Sequence, residues 1–113
     1  MKTSNKSPPV TIADGVKVSI GPNAWPIIRD VVDDVITVSE KEIKEATKLV
    51  WERAKLIIEP TSGVGVAAVI NNEKFNRLNG MNDDVKKVAI VLCGGNCDVS
   101  VVAQMLANVE TPS

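Results

Sequence analysis

A cysteine, two glycines and an asparagine stand together where the sequence predicts the end of a buried strand. Cys93 and Asn96 flank the glycine pair, after an apolar run at 88–92 and before a helix that Asp98 can cap. In open α/β sheets ligands bind beyond the carboxyl ends of strands, where glycines admit a close ligand and a helix N-terminus favours anionic groups. This segment predicts a ligand site, and the alternative is a tight strand-to-helix turn around a buried thiol.

Glu59 is a second residue whose position could support chemistry. It follows Ile57 and Ile58 and precedes Pro60, so it stands at a predicted helix end, where a partly buried carboxylate can take part in proton transfer. The alternative is an ordinary solvated glutamate, because glutamate is seldom fully buried. Lys55, one turn earlier, is predicted from the sequence alone to be a solvated or ion-pairing side chain.

We predict no metal site in this chain. Cys93 and Cys97 are three residues apart and no histidine occurs, so a tetrahedral zinc site would lack its third and fourth ligands. The acidic residues Asp30, Asp33 and Asp34 fall at a predicted boundary between a helix and a strand. Such a cluster is more often solvated than bound to a cation.

Charge and hydropathy exclude two classes of partner. Thirteen basic side chains against fourteen acidic ones give a formal net charge of -1, without the basic patch that nucleic-acid binding requires. The longest apolar runs are far shorter than the ~20 residues of a membrane-spanning helix. Two cysteines make no disulfide framework, so we expect reduced thiols and a cytoplasmic location.

The elements that must position these residues are predicted by local signals. Ser39 and Glu42 have the spacing of a capping box, and an apolar face at helical spacing follows them, so we predict a helix from residue 40 to about Ile58. Pro60 cannot extend it. After the tight connection 59–63, a helix at 64–71 is rich in small residues that allow close packing.

The remaining elements complete an α, β, α, α, β, α order. The sequence predicts a helix at 24–32 that Asn23 could cap, a strand at 35–38, a polar loop at 71–84, a strand at 88–92 apolar on both faces, and a helix at 99–107 capped by Asp98. Two strands leave open sheet edges. We therefore predict an α/β fold that is incomplete in this chain.

Three long runs of sequence carry a resemblance to a known family. The segments TIADGVKVSIGPNAWPIIRD, VVDDVITVSEKEIKEATKLVWERAKLIIEPTSGVGVAAVI and VAIVLCGGNCDVS lie within residues 11–100, nearly the whole chain. They resemble the C-terminal third of the serine racemase family, among the fold type II pyridoxal-phosphate enzymes that include the serine and threonine dehydratases. The wording WPIIRD and LVWERAKLIIEPT is closer to the racemases than to the dehydratases.

The resemblance implies a fold and a division of the chain. The fold is tryptophan synthase beta-like, with a parallel sheet flanked by helices. Residues 11–108 would be the C-terminal portion of the large domain, between an irregular lead-in at 1–10 and a tail at 109–113. The implied activity is pyridoxal-phosphate-dependent interconversion of L- and D-serine, with elimination of serine to pyruvate and ammonia.

The resemblance also assigns cofactor residues. Cys93 matches the position that faces the pyridine nitrogen of pyridoxal phosphate, where a neutral thiol does not hold a proton as an aspartate would. Gly15 would lie with its backbone against the cofactor ring, and Glu59 would form part of the pocket.

Further positions are implied for a nucleotide and for substrate. Lys55 and Asn96 match family positions that contact ATP, which activates together with Mg²⁺ near the interface of a homodimer. Val18 stands where animal members of the family tend to carry a serine near the substrate carboxylate. That departure predicts an altered affinity or preference for substrate.

Several parts of the family's machinery have no counterpart in these residues. The Schiff-base lysine in its Ser-x-Lys-x-Arg-Gly segment, the opposite-face serine, the phosphate loop, the metal carboxylates and the small domain all lie upstream in the family. We therefore expect the isolated chain to be inactive. The alternatives are a non-catalytic truncated product that binds the intact enzyme or a nucleotide, and a fragment of a serine or threonine dehydratase.

Overall fold

The computed structural model describes residues 7–79 and 86–112, and its regular elements there are helices. In chain order they are a 3₁₀ turn at Asp14–Val16, α1 at Ala24–Val31, α2 at Glu40–Leu49, a π-helical turn at Val50–Ala54 that continues α2, α3 at Pro60–Ile70, α4 at Asn72–Asn79 and α5 at Val99–Leu106. No helix within the described ranges is long and apolar enough to cross a membrane.

The predicted capping box at the start of α2 is confirmed. The backbone N–H of Glu42 donates to Ser39 Oγ at 3.3 Å, and the Glu42 carboxylate accepts the backbone N–H of Ser39 at 2.6 Å. Each side chain thus satisfies a backbone donor that a helix start leaves free. The apolar spacing then buries Ile43, Ala46 and Thr47 on one face of α2.

The end of this helix differs from the prediction. It stops at Ala54 rather than near Ile58, because Lys55 adopts the left-handed conformation with φ 58. The chain that follows is tied back by the Trp51 indole, whose Nε1–H donates to the carbonyl of Ile58 at 2.9 Å. Pro60 is the first residue of α3, where its missing N–H costs nothing.

The core lies between α2 and α3. Its buried members are Ala46, Val50, Ile58, Val66 and Ala67, with Val38 and Trp51 packed against them. Gly63 of α3 meets Thr47 of α2 so closely that a Cβ on the glycine would lie 2.2 Å from Thr47 Oγ1. The close packing expected of the small-residue helix is confirmed at this crossing.

The two predicted strands are not formed in the parts of the chain that the structure describes. Residues 35–38 and 88–92 belong to no helix or sheet. The expectation that 88–92 is buried on both faces is wrong, since Val88 and Val91 are 49% and 81% exposed. A strand is stabilised by pairing with a neighbouring strand, and neither segment pairs with the other.

Two smaller predictions also fail and one holds. The polar loop expected at 71–84 contains α4 over Asn72–Asn79, started by Asn71, whose side-chain oxygen accepts the N–H of Lys74; residues 80–84 lie outside the described ranges. Asn23 makes no side-chain capping bond to α1. Asp98 caps α5, accepting the N–H of Val101 at 3.1 Å.

Acid is expected to weaken the junction where α2 begins. The backbone N–H of Ser39 above all, with Asn71 and Lys74, lowers the pKa of Glu42 from 4.5 to about 2. Lys74 also donates to the carbonyl of Thr37 at 2.7 Å, so Glu42 joins three segments. Because the folded state lowers this pKa, the stabilisation is present above pH 4.5 and is lost as the pH falls through 4.5 towards 2.

The measurement is urea unfolding between about pH 7 and about pH 3. The unaltered chain should lose about 1–2 kcal/mol more over that range than the Glu42→Gln variant. Glu45→Gln is the matched control, because its carboxylate pairs across 3.6 Å with Lys41, whose side chain is 83% exposed. Equal pH dependence in the unaltered chain and in Glu42→Gln would contradict the assignment.

Candidate functional site

The start of α3 is the point to which the predicted site residues converge. Glu59 precedes the helix in extended conformation, with φ -73 and ψ 155, and Pro60 begins it. The Glu59 side chain makes no capping bond to the helix. Its carboxylate therefore remains available to the neighbouring segments.

Thr61, in the first turn of α3, holds the segment that contains Gly15. Thr61 Oγ1 accepts the backbone N–H of Gly15 at 3.1 Å, and its hydroxyl lies 3.4 Å from a carboxylate oxygen of Asp14, to which it donates. A Cβ on Gly15 would lie 3.0 Å from the Thr61 methyl group. This close approach favours glycine at position 15.

Ser62, the next residue, holds the segment that contains Cys93. Ser62 Oγ accepts the backbone N–H of Cys93 at 3.0 Å, and its hydroxyl lies 3.5 Å from the carbonyl of Val91, to which it donates. Ser62 is 6% exposed. A buried hydroxyl that both accepts and donates leaves no polar atom unpaired.

Glu59 and Gly94 are in direct contact. Gly94 has φ +81, a conformation that residues with a Cβ rarely adopt, and a Cβ built there would lie 2.3 Å from Cδ of Glu59. The segments that carry Gly15, Glu59 and Cys93 are therefore brought together around one helical turn. The Cys93 side chain is exposed there.

A cleft of about 240 Å³ opens beside this turn. Its polar lining comes from Asp14, Glu59, Asn96, Cys97 and Asp98, and its apolar lining from the start of the chain and α5. The hydroxyl of Ser100 and the backbone N–H of Val101 hold the pKa of Asp98 below its usual value. Three carboxylates beside one amide make the cleft acidic.

Two predicted residues lie apart from this cleft. Lys55 is exposed, and its ammonium group donates to the carbonyl of Glu52. Val18 is 80% exposed. Neither lines the cleft, so the structure does not bring Lys55 and Asn96 into one cavity. Within residues 7–79 and 86–112, no group of three or more metal-binding side chains is assembled.

The residues at the start of α3 fit a flat heteroaromatic cofactor in their chemistry. Gly15 offers an exposed backbone with no side chain, and Cys93 offers an exposed neutral thiol, the kind of group that contacts a ring nitrogen without protonating it. Sequence reasoning missed Thr61 and Ser62. The available signal was a pair of hydroxyl residues directly after a helix-starting proline.

Comparisons with known proteins agree with this arrangement. The family described as pyridoxal-phosphate dependent enzyme matches residues 1–94. Serine racemase of Rattus norvegicus is 60% identical over 98 residues, covering 87% of this chain. The solved structure of maize serine racemase has a TM-score of 0.78 at 33% identity, covering 93% of this chain and 32% of its own.

A threonine deaminase from T.th. is similar over a shorter stretch. Its structure has a TM-score of 0.58 at 42% identity, covering 60% of this chain and 23% of its own. The present chain spans only 28% of the length of the rat relative. It thus corresponds to less than a third of the proteins it matches.

Proposed function

Because the chain belongs to the family of pyridoxal-phosphate dependent enzymes, we propose that it forms the C-terminal part of the large domain of a serine racemase. Residues 11–108 would be that part, and the segment 88–92 would pair within the parallel sheet of the complete fold. The observation that carries the proposal is the gathering of Gly15, Glu59 and Cys93 around the first turn of α3.

The chain's own residues would hold and orient the cofactor. Pyridoxal phosphate, when bound, supplies a conjugated ring that accepts the electron pair left on an amino acid when its Cα proton departs. Cys93 would contact the ring nitrogen and leave it unprotonated, which moderates that electron demand. Gly15 would leave room for the ring, and Glu59, fixed against Gly94, would form the pocket wall.

The reaction proposed is the interconversion of L- and D-serine. Proton removal from one face of Cα and return to the other inverts the centre, and loss of water with hydrolysis gives pyruvate and ammonia instead. The 113 residues contain no Ser-x-Lys-x-Arg-Gly segment, so the groups that move the proton would come from other parts of the family fold. This chain would bind, orient and exclude water.

A nucleotide, a divalent cation and a second subunit complete the proposal. Lys55 and Asn96 would contact ATP, and both are exposed. Mg²⁺ would be held by carboxylates outside these 113 residues. The complete enzyme would be a homodimer in the cytoplasm. Because the cleft that contains Asn96 is acidic, ATP would enter it as its magnesium complex.

A second candidate is a serine or threonine dehydratase. The likeness to the T.th. threonine deaminase favours it, with 42% identity over 60% of this chain. Val18, in place of the serine that animal racemases tend to carry, is consistent with a different substrate. The two candidates share the cofactor and differ in the fate of the substrate carbanion.

A chimera tests the proposal. The segment of rat serine racemase that matches this chain is replaced by the corresponding residues of this chain. We expect the purified chimera to form D-serine from L-serine within about ten-fold of the parent rate, or about 1.4 kcal/mol in activation free energy.

The parent rat enzyme, purified in parallel, is the control, and pyruvate is assayed beside D-serine. Pyruvate without D-serine would favour the dehydratase. A folded dimeric chimera that forms neither product would contradict both candidates.

A further inference from the structure

We propose that Thr61 and Ser62 are positioning residues for the cofactor edge, fixing the segments of Gly15 and Cys93 relative to each other. This inference rests on the proposed function for its link to the cofactor. Its structural part stands on the hydrogen bonds alone. Neither hydroxyl was assigned a role by the sequence patterns or by the family resemblance.

The two hydroxyls act in the same way on two different segments. Thr61 Oγ1 accepts the N–H of Gly15 at 3.1 Å, and Ser62 Oγ accepts the N–H of Cys93 at 3.0 Å. Successive side chains of a helix point in directions about 100° apart. Adjacent residues of one rigid turn can therefore hold two segments on different sides of it.

The sequence separation of these bonds shows why they matter. Gly15 lies 46 residues before Thr61, and Cys93 lies 31 residues after Ser62. Neither segment forms a helix or strand around the bonded residue beyond the short turn Asp14–Val16. Side-chain hydroxyls thus replace the sheet or helix bonds that would otherwise fix the two backbones.

Both segments lack other anchors of comparable quality. Gly15 and Cys93 are exposed, so little apolar packing holds them. A single neutral hydrogen bond contributes about 1 kcal/mol. That is small for the whole fold but large for the position of one exposed backbone segment.

Hydrogen exchange in the full chain separates positioning from general stability. Ser62→Ala should speed exchange of the Cys93 amide about five- to ten-fold and leave the Gly15 amide unchanged. Thr61→Val should do the reverse. Thr61→Ser keeps the hydroxyl and should restore slow exchange at Gly15. The Ile43 amide, bonded to the Ser39 carbonyl within α2, is the internal reference.

Cofactor affinity in the rat chimera provides the second measurement. Thr61→Val and Ser62→Ala should each raise the Kd for pyridoxal phosphate about five-fold, and Thr61→Ser should not. Uniformly faster exchange, the Ile43 amide included, would overturn the positioning role. Selective exchange with unchanged Kd would also overturn it. A chimera that binds no cofactor even without substitutions would instead refute the proposed function, leaving the exchange result intact.

Discussion

Gly63→Ala is expected to destabilise the chain by about 2–3 kcal/mol, the upper part of the range for overpacking a core. The added Cβ would lie 2.2 Å from Thr47 Oγ1 and 3.2 Å from the carbonyl oxygen of Ile43. Thr47 is fully buried, and its hydroxyl already donates to that carbonyl at 2.7 Å. The helices α2 and α3 would have to separate, which opens the core between them.

Urea unfolding followed by Trp fluorescence measures this effect, with Gly65→Ala as the matched control. A Cβ on Gly65 meets only a methyl group of Ile90 at 3.1 Å, the end of a side chain that is 36% exposed and free to move. Alanine also favours the helix by about 1 kcal/mol over glycine. Gly65→Ala should therefore be neutral or stabilising. Equal losses in both variants would contradict the close crossing at Gly63.

Gly94→Ala is expected to disrupt the site with a smaller effect on the core. Placing alanine at φ +81 costs about 1–2 kcal/mol, and the collision with Glu59 adds to it. The Cys93 segment should move away from Glu59. In the rat chimera we expect the affinity for pyridoxal phosphate to fall by at least about ten-fold, the equivalent of about 1.4 kcal/mol.

A double substitution separates the two causes. Glu59→Ala removes the three atoms nearest the added methyl group, so Gly94→Ala should cost less stability in that background, leaving only the backbone strain. Gly95→Ala is the matched control, because its Cβ would meet nothing closer than the Ile57 carbonyl at 3.6 Å. Additive effects of the Glu59 and Gly94 substitutions would show that the two residues do not touch.

The helix starts could be predicted from the sequence because their causes are local. Ser39 caps α2 and Asp98 caps α5 through bonds to residues three positions away, and that spacing is readable in the sequence. The end of α2 could not be predicted, because it depends on Lys55 adopting φ 58. The strands at 35–38 and 88–92 require neighbouring strands, which residue order alone does not supply.

The site was predicted in part for the same physical reason. Glu59 and Cys93 were singled out because apolar runs precede them, and Gly15 followed from the family resemblance. Thr61 and Ser62 could not be found, since their bonds join residues 46 and 31 positions apart. Lys55 and Asn96 remain predicted nucleotide contacts that the structure does not join in one cavity.

The central claim is that this chain supplies one edge of a pyridoxal-phosphate site. The most direct test is the visible absorbance of cofactor retained by the rat chimera after gel filtration. We expect one bound cofactor per subunit, kept in Gly95→Ala and lost in Gly94→Ala. A folded chimera that retains no cofactor, or one that retains it equally in both glycine variants, would contradict the assignment of Glu59, Gly94 and Cys93 to that edge.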